Sequence, residues 1–393
     1  MADSSRLPPQ QTIATASDTY AAGYTLAAST SGKDDQTQHF HLYLPADATP
    51  TANTMIGLGG TPDAPMLKVP VMGFGAWAWG DVNIYGWGPA GGYDKKLDDH
   101  SVTSAFDEML KIFSKVLIDS AEYYSEGYAE KCIGFNLDKR FTDAERAHRI
   151  VLATKFSPTI WRHPFLYPDC VLKSMMASLE RTLMPTISIY QLEAGSHFGL
   201  WPRLATLADG LARCYETGKV KTIGTCNLNL SQIRYLHDYF KKRNVPYVSN
   251  QVELSLLRTD PWKSGFIEEC RQLGIATIAY SPLGLGRLTG KYSAENPPKG
   301  NRYREDISWL KIQPIVNELT RIGEARQKTP GVVALNWVMC KGAIPIPSVK
   351  NGEQARDCAQ AVGWRLTLEE EARLDKLGVA SIWSGYFLKR WQN

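Results

Sequence analysis

The sequence predicts a closed parallel (β/α)8 TIM barrel, and three observations carry that prediction. Eight short apolar or β-branched runs recur after residue 70. Stretches with helical apolar spacing lie between them. The runs that begin at 115, 150, 187 and 221 are about 35 residues apart, the length of one β-α unit.

In chain order the runs are 71–77 (VMGFGAW), 115–119 (KVLID), 150–155 (IVLATK) and 187–193 (ISIYQLE). They continue at 221–227 (KTIGTCN), 247–254 (YVSNQVEL), 275–281 (IATIAYS) and 343–348 (AIPIPS). Leu172, Met176, Leu179 and Leu183 share one helical face, as do Ile233, Leu236 and Phe240. Gly218 and Gly274 stand where helix C-caps belong, just before a strand. An open doubly wound sheet is the competing fold, but it needs a G-x-G-x-x-G after its first strand. Gly73/Gly75 and Gly284/Gly286 both lack the third glycine in register.

The amino-terminal region reads differently. Residues 1–36 are rich in Ala, Ser, Thr and Gln without apolar periodicity, the composition of a mobile arm. The patch His39-Phe40-His41-Leu42-Tyr43-Leu44 could pair as a short strand, and its two histidines lack further metal ligands nearby. The expected division is a flexible extension over 1–54 and a barrel with a C-terminal tail over 55–393. The arm has no apolar signal-peptide run. Asp3, Asp18, Asp34 and Asp35 against Arg6 and Lys33 do not suit a transit peptide.

Composition narrows the function classes. With 44 Lys+Arg against 40 Asp+Glu, nothing points to nucleic acid or an acidic membrane. No apolar run reaches the length of a membrane span. Seven cysteines without regular spacing form neither a disulfide framework nor a zinc signature. A reduced cytoplasmic protein is expected, with a plastid location open but unsupported by the arm. Oligomeric state has no signal.

In such a barrel the chemistry lies at the carboxyl ends of the strands. Those ends supply Asp119 with Tyr124 five residues on, then Lys155, Glu193, Cys226-Asn227, Gln251 and Tyr280-Ser281. A lysine paired with a buried aspartate stays charged, and its field lowers the pKa of a nearby phenol. Such a tyrosine can protonate a carbonyl oxygen.

The ordered motifs DSAEYYSEGYAE, VLATKF, IYQLE, IGTCNLN, NQVELSLL, AYSPLGLGRLTGKY and AIPIPSVKNGEQAR resemble those of the aldo-keto reductase superfamily over roughly 55–379. The opening Gly75-Ala76-Trp77-Ala78-Trp79-Gly80-Asp81 resembles its plant, algal and bacterial branch. The resemblance implies a barrel closed at its base by a hairpin at about 55–69. It also implies metal-free hydride transfer from NADPH to a carbonyl. By motif position the catalytic set falls on Tyr124, Asp119 and Lys155, with Tyr123 the rival of Tyr124. The family's fourth residue, a histidine at the end of strand 4, is Glu193 in this chain.

Three readings of Glu193 compete. It can act as in the steroid 5β-reductase branch, where a protonated carboxyl polarises an enone for C=C reduction. His197 can restore ordinary carbonyl reduction. Or catalysis is impaired, and the domain is a sensor or scaffold that binds NADPH and acts through protein contacts.

For NADPH, the resemblance assigns nicotinamide stacking to Tyr280 and the carboxamide to Cys226, Asn227 and Gln251. It places the pyrophosphate on the loop of Ser281, Leu283, Gly284, Arg287 and Lys291. The adenosine 2′-phosphate falls to Ser348, Lys350 and Gln354, and Lys350 favours NADPH over NADH. Trp77, Trp79 and Trp161, with Trp383 in the tail, are expected to line an aromatic pocket for a hydrophobic carbonyl or enone. Trp87, Tyr93 and loop 86–92 are expected as a lid.

Overall fold

A computed structural model describes residues 38–80, 99–158, 168–193, 204–298 and 307–380. The barrel strands are β4 (Phe74–Gly75), β5 (Val116–Asp119), β6 (Ile150–Phe156), β7 (Ile187–Glu193), β8 (Val220–Cys226), β9 (Tyr247–Glu253), β10 (Ala276–Tyr280) and β11 (Ile344–Pro345). They pair in sequence order and every pairing is parallel. The first and last strands then meet. Gly75 bridges Ser348, and the Gly73 and Gly75 amides donate to Pro345 O and Pro347 O, both at 2.9 Å. A Cβ on Gly75 would lie 3.1 Å from Ser348 Oγ and 3.2 Å from Ile346 O, so close approach at this seam favours glycine.

Strands covered on both faces read as continuous apolar runs, and β5, β6 and β7 are buried throughout. All eight expected strands are present, β4 and β11 being shorter than their runs. The helix Leu230–Lys242 buries Ile233, Leu236 and Phe240 as expected. The helix Asp169–Thr182 is rotated from its expected face. It buries Val171, Met175, Ser178, Leu179 and Thr182, while Met176 and Leu183 are exposed. Thr182 hides its hydroxyl by donating to Ser178 O at 2.7 Å, so a polar residue serves a core row. Gly218 and Gly274 take positive φ with open space around them, the geometry of a C-cap.

Below the barrel, β2 (Met55–Gly60) and β3 (Pro65–Pro70) form the expected antiparallel hairpin. Ile56, Leu58 and Val69 are buried against the barrel core. β1 (His39–His41) pairs parallel with β2. Residues 42–50 are also fixed. Gly363 N donates to Pro50 O at 2.6 Å, and Arg365 Nη1 donates to Pro45 O and Ala48 O at 3.0 and 3.1 Å. The expected extension through residue 54 is therefore corrected over 38–54. β1 is held by the neighbouring β2, whereas the partners at Pro45, Ala48 and Pro50 lie more than 300 positions away in sequence. Among the described residues no helix is long and apolar enough to cross a membrane.

Candidate active site

Period-two alternation puts Lys155, Gln191, Glu193, Cys226 and Gln251 on one continuous patch. Lys155 is in register with Gln191, Glu193 with Cys226, and Cys226 with Gln251. Gly224 makes room for this layer, since a Cβ there would lie 3.0 Å from Gln191 Cγ. Asp119 ends β5 beside Gly75 and Ala153.

Lys155 is 0% exposed and its three N–H groups are all used. Nζ donates to Asp119 Oδ2 at 2.6 Å, Ser120 O at 2.8 Å and the Tyr124 hydroxyl at 3.0 Å. Asp119 Oδ1 accepts from Gln191 Nε2 at 3.0 Å and Gln251 Nε2 at 2.8 Å. Tyr124 follows a tight turn closed by its own amide to Ala121 O at 3.1 Å. Ser125 and Glu126 then take φ of +51° and +54°. Left-handed non-glycine residues persist where their surroundings hold them, and Ser125 Oγ is tied to Trp79 O at 3.0 Å.

Burial alone would discharge Lys155. The Asp119 carboxylate, joined by smaller contributions from Tyr124, Cys226 and Glu193, outweighs it, and the net direction is upward, so the ammonium persists. Burial pushes the Tyr124 phenol up; Lys155 pulls it down, while Asp119 and Glu193 add to the rise. The expected lowering by lysine is thus present but outweighed. Tyr124 is a neutral phenol holding its proton against a cation.

Glu193 is buried, and burial raises its pKa despite Lys155. The Tyr123 hydroxyl hydrogen-bonds its carboxyl, and Oε2 has no partner among the described residues. The two tyrosines therefore separate their tasks: Tyr124 meets Lys155 and Tyr123 meets Glu193.

The expected cofactor residues occupy the same rim. Asn227, at φ +62°, accepts a hydrogen bond from the Tyr280 hydroxyl at 3.1 Å. Burial pushes the Cys226 thiol well up, and Sγ lies 3.8 Å from Gln251 Oε1. Gln251 differs from expectation, because its amide nitrogen is committed to Asp119 rather than turned to a carboxamide site. Ser281 and Leu283 are half-buried, and Gly284 is buried at φ +56°. Arg287 folds back, with Nε donating to Gly284 O at 3.0 Å, while Lys291 is exposed. Ser348 and Lys350 precede the helix Gly352–Ala359, which Asn351 caps by accepting from Gln354 N at 3.0 Å. Lys350 N donates to Gln354 Oε1 at 3.0 Å. A half-buried tyrosine ring, a glycine-bearing loop, cations and a capped helix start form a set that fits a phosphorylated dinucleotide.

The tryptophans divide. Trp77 is half-buried at the rim. Trp79 is fully buried, packs 5.3 Å from the Phe106 ring and donates Nε1 to Val349 O at 2.7 Å. It is core, and the pocket-lining expectation for it is corrected: its indole N–H needed a buried acceptor and found one across the barrel seam. Trp161, Trp87, Tyr93, loop 86–92, His197 and Trp383 lie outside the described residues. Sequence reasoning missed Gln191 as a site residue and named Tyr123 only as the rival of Tyr124, not as the partner of Glu193. Alternation along 187–193 places Gln191 on the face of Glu193, a signal that could have found it.

The family model described as "Aldo/keto reductase family" matches residues 71–379. The chain is 35% identical over 316 residues to "Pyridoxal reductase, chloroplastic" of Arabidopsis thaliana, covering 79% of this chain and 83% of that protein. It is 30% identical over 250 residues to "Aldo-keto reductase yakc [NADP(+)]" of Schizosaccharomyces pombe, covering 59% and 69%. A Bombyx mori aldo-keto reductase solved in complex with NADP superposes with a TM-score of 0.60 at 20% identity, covering 84% and 94% of the two chains.

Proposed function

The chain belongs to the aldo/keto reductase family, and on that premise we propose that it reduces the carbonyl of an aldehyde with NADPH. The contact that carries this reading is Lys155 Nζ, held 2.6 Å from Asp119 and 3.0 Å from the Tyr124 hydroxyl. Bound NADPH supplies the hydride. Tyr124 gives its proton to the carbonyl oxygen, and Lys155 stabilises the phenolate left behind. Asp119 keeps Lys155 charged, and Gln191 and Gln251 hold Asp119 still. Tyr280, Asn227 and Cys226 would hold the nicotinamide end, the loop from Ser281 to Lys291 the pyrophosphate, and Ser348, Lys350 and Gln354 the 2′-phosphate. Trp77 borders the substrate. The names of the pyridoxal reductase and of the NADP(+) enzyme support an aldehyde substrate and this cofactor. The chloroplastic relative also keeps a plastid location beside a cytoplasmic one.

A second reading, reduction of a conjugated enone, draws on Glu193 beside Tyr124, whose carboxyl burial pushes up. The test is NADPH consumption with pyridoxal, simple aldehydes, ketones and enones. Tyr124→Phe should lower kcat on the preferred substrate by about 10²–10⁴-fold without weakening NADPH binding. Turnover confined to enones and abolished by Glu193→His would favour the second reading. Tight NADPH binding with no turnover on any substrate would sink both and leave the sensor or scaffold role.

A further inference from the structure

Glu193 has a feature that proton donation by Tyr124 does not use. The side chain is 5% exposed, one part of its carboxyl is engaged by Tyr123, and Oε2 is buried without a partner among the described residues. A buried oxygen left in that state carries a desolvation penalty that is relieved when a ligand supplies the missing hydrogen bond.

Position says which ligand group can do so. Glu193 ends β7, in register with Cys226 and two residues beyond Gln191, the partner of Lys155. Its carboxyl lies within electrostatic reach of Tyr123, Tyr124, Cys226 and Tyr280, and so borders the space where a carbonyl would meet Tyr124. The Tyr123 and Tyr124 rings meet edge to face, with centroids 4.9 Å apart at 81°. One phenol fixes the carboxyl and the other faces the lysine. Two hydrogen-bonding groups thus stand side by side, each braced from behind.

We propose that Glu193, positioned by Tyr123, selects aromatic aldehydes bearing a hydroxyl ortho to the carbonyl group. This rests on the carbonyl-reductase reading and adds its substrate class. In an ortho-hydroxy aldehyde the two oxygens lie on neighbouring arms of one planar unit. The carbonyl oxygen takes the Tyr124 proton, and the ring hydroxyl exchanges a hydrogen bond with Glu193 Oε2. Pyridoxal, named for the Arabidopsis relative, carries this pair of groups. Burial raises the Glu193 carboxyl, Lys155 opposing; the carboxylate accepts from a phenol, and the protonated form can also donate to a phenolate. The redox step is unchanged: hydride goes to the carbonyl carbon, the Tyr124 proton to its oxygen, and Glu193 neither gains nor loses electrons.

The experiment compares kcat/KM with NADPH for salicylaldehyde, meta-hydroxybenzaldehyde and ortho-methoxybenzaldehyde. Wild type should favour salicylaldehyde by about tenfold or more, since a site built to pair a hydroxyl discriminates against analogues lacking it. Glu193→Leu should bring the three within about twofold of one another. Tyr123→Phe keeps the carboxyl and should flatten the preference partway, a change in ratio that general loosening of the fold would not produce. Equal rates on the three aldehydes in wild type, or a preference that survives Glu193→Leu, would overturn the proposal alone. No reduction of any aldehyde would overturn it together with the reading beneath it.

Discussion

The two ends of the barrel solve opposite problems with the same strands. At the rim, Lys155, Asp119, Gln191, Gln251 and Glu193 are buried polar groups, and nearly every donor and acceptor among them is matched. At the base, Ile56, Leu58 and Val69 plug the opening with apolar atoms alone. Near the base, burial, then Lys221 and Lys68, push the half-buried Lys115 ammonium down. Hydrophobic closure needs only volume, whereas a buried ionic layer needs every partner in place. The rim should therefore be brittle in function, and the base should matter to stability only.

Removing the cation tests the rim most severely. Lys155→Met strands Asp119 as an unpaired buried charge and should destabilise the fold by about 3–5 kcal/mol. Tyr124 also loses the cation that would stabilise its phenolate, so NADPH-dependent turnover should vanish in whatever protein remains folded. Urea titration and turnover on one preparation check both. At the other end, Leu58→Ala should cost about 2–5 kcal/mol of stability through lost burial and a cavity. Its kcat should stay within about twofold of wild type, and a larger fall would mean that the two ends are coupled.

A subtler test is the pH dependence of Glu193. Its native pKa is raised by burial, so the native state binds the proton more tightly than the unfolded chain, which titrates near about 4.3. Wild-type stability relative to Glu193→Gln should be greatest below that pH and fall as pH rises through the native value. Thermal melts of both proteins at about pH 4 and pH 8 read the difference. A constant gap, or one that moves in favour of wild type with rising pH, would show Glu193 ionised against Lys155. The smallest effect belongs to the strap of residues 42–50. Arg365→Ala should lose about 1 kcal/mol and speed proteolytic cleavage between 38 and 54, leaving the rim chemistry alone.

How far the sequence could be read follows the same division. Strand runs such as 150–155 and 187–193 were legible because a parallel strand buried on both faces must be apolar throughout. Asp119, Tyr124 and Lys155 were legible because strand ends and motif order mark them, and the structure brings all three within hydrogen-bond reach. Two kinds of feature stayed hidden. Some depend on distant partners, as the polar segment 42–50 depends on Gly363 and Arg365. Others depend on side-chain direction at the rim, where alternation says which face a residue occupies but not which neighbour it chooses. Gln251 turns to Asp119, Trp79 turns inward, and Tyr123 turns to Glu193 for that reason.

The seam between β4 and β11 has a temporal consequence. Gly75 and Ser348 come from opposite ends of the chain, and the Trp79 indole reaches Val349 across the same line. A ribosome delivers β4 early and β11 late. During most of synthesis the strands can form at best an open sheet, whose unpaired edges invite pairing with other chains. Contacts of such long sequence separation also form slowly. The nascent molecule is therefore most exposed to aggregation in the interval before the last strand arrives. How long that interval lasts depends on translation speed and chaperone attendance rather than on the strength of any contact in the finished barrel.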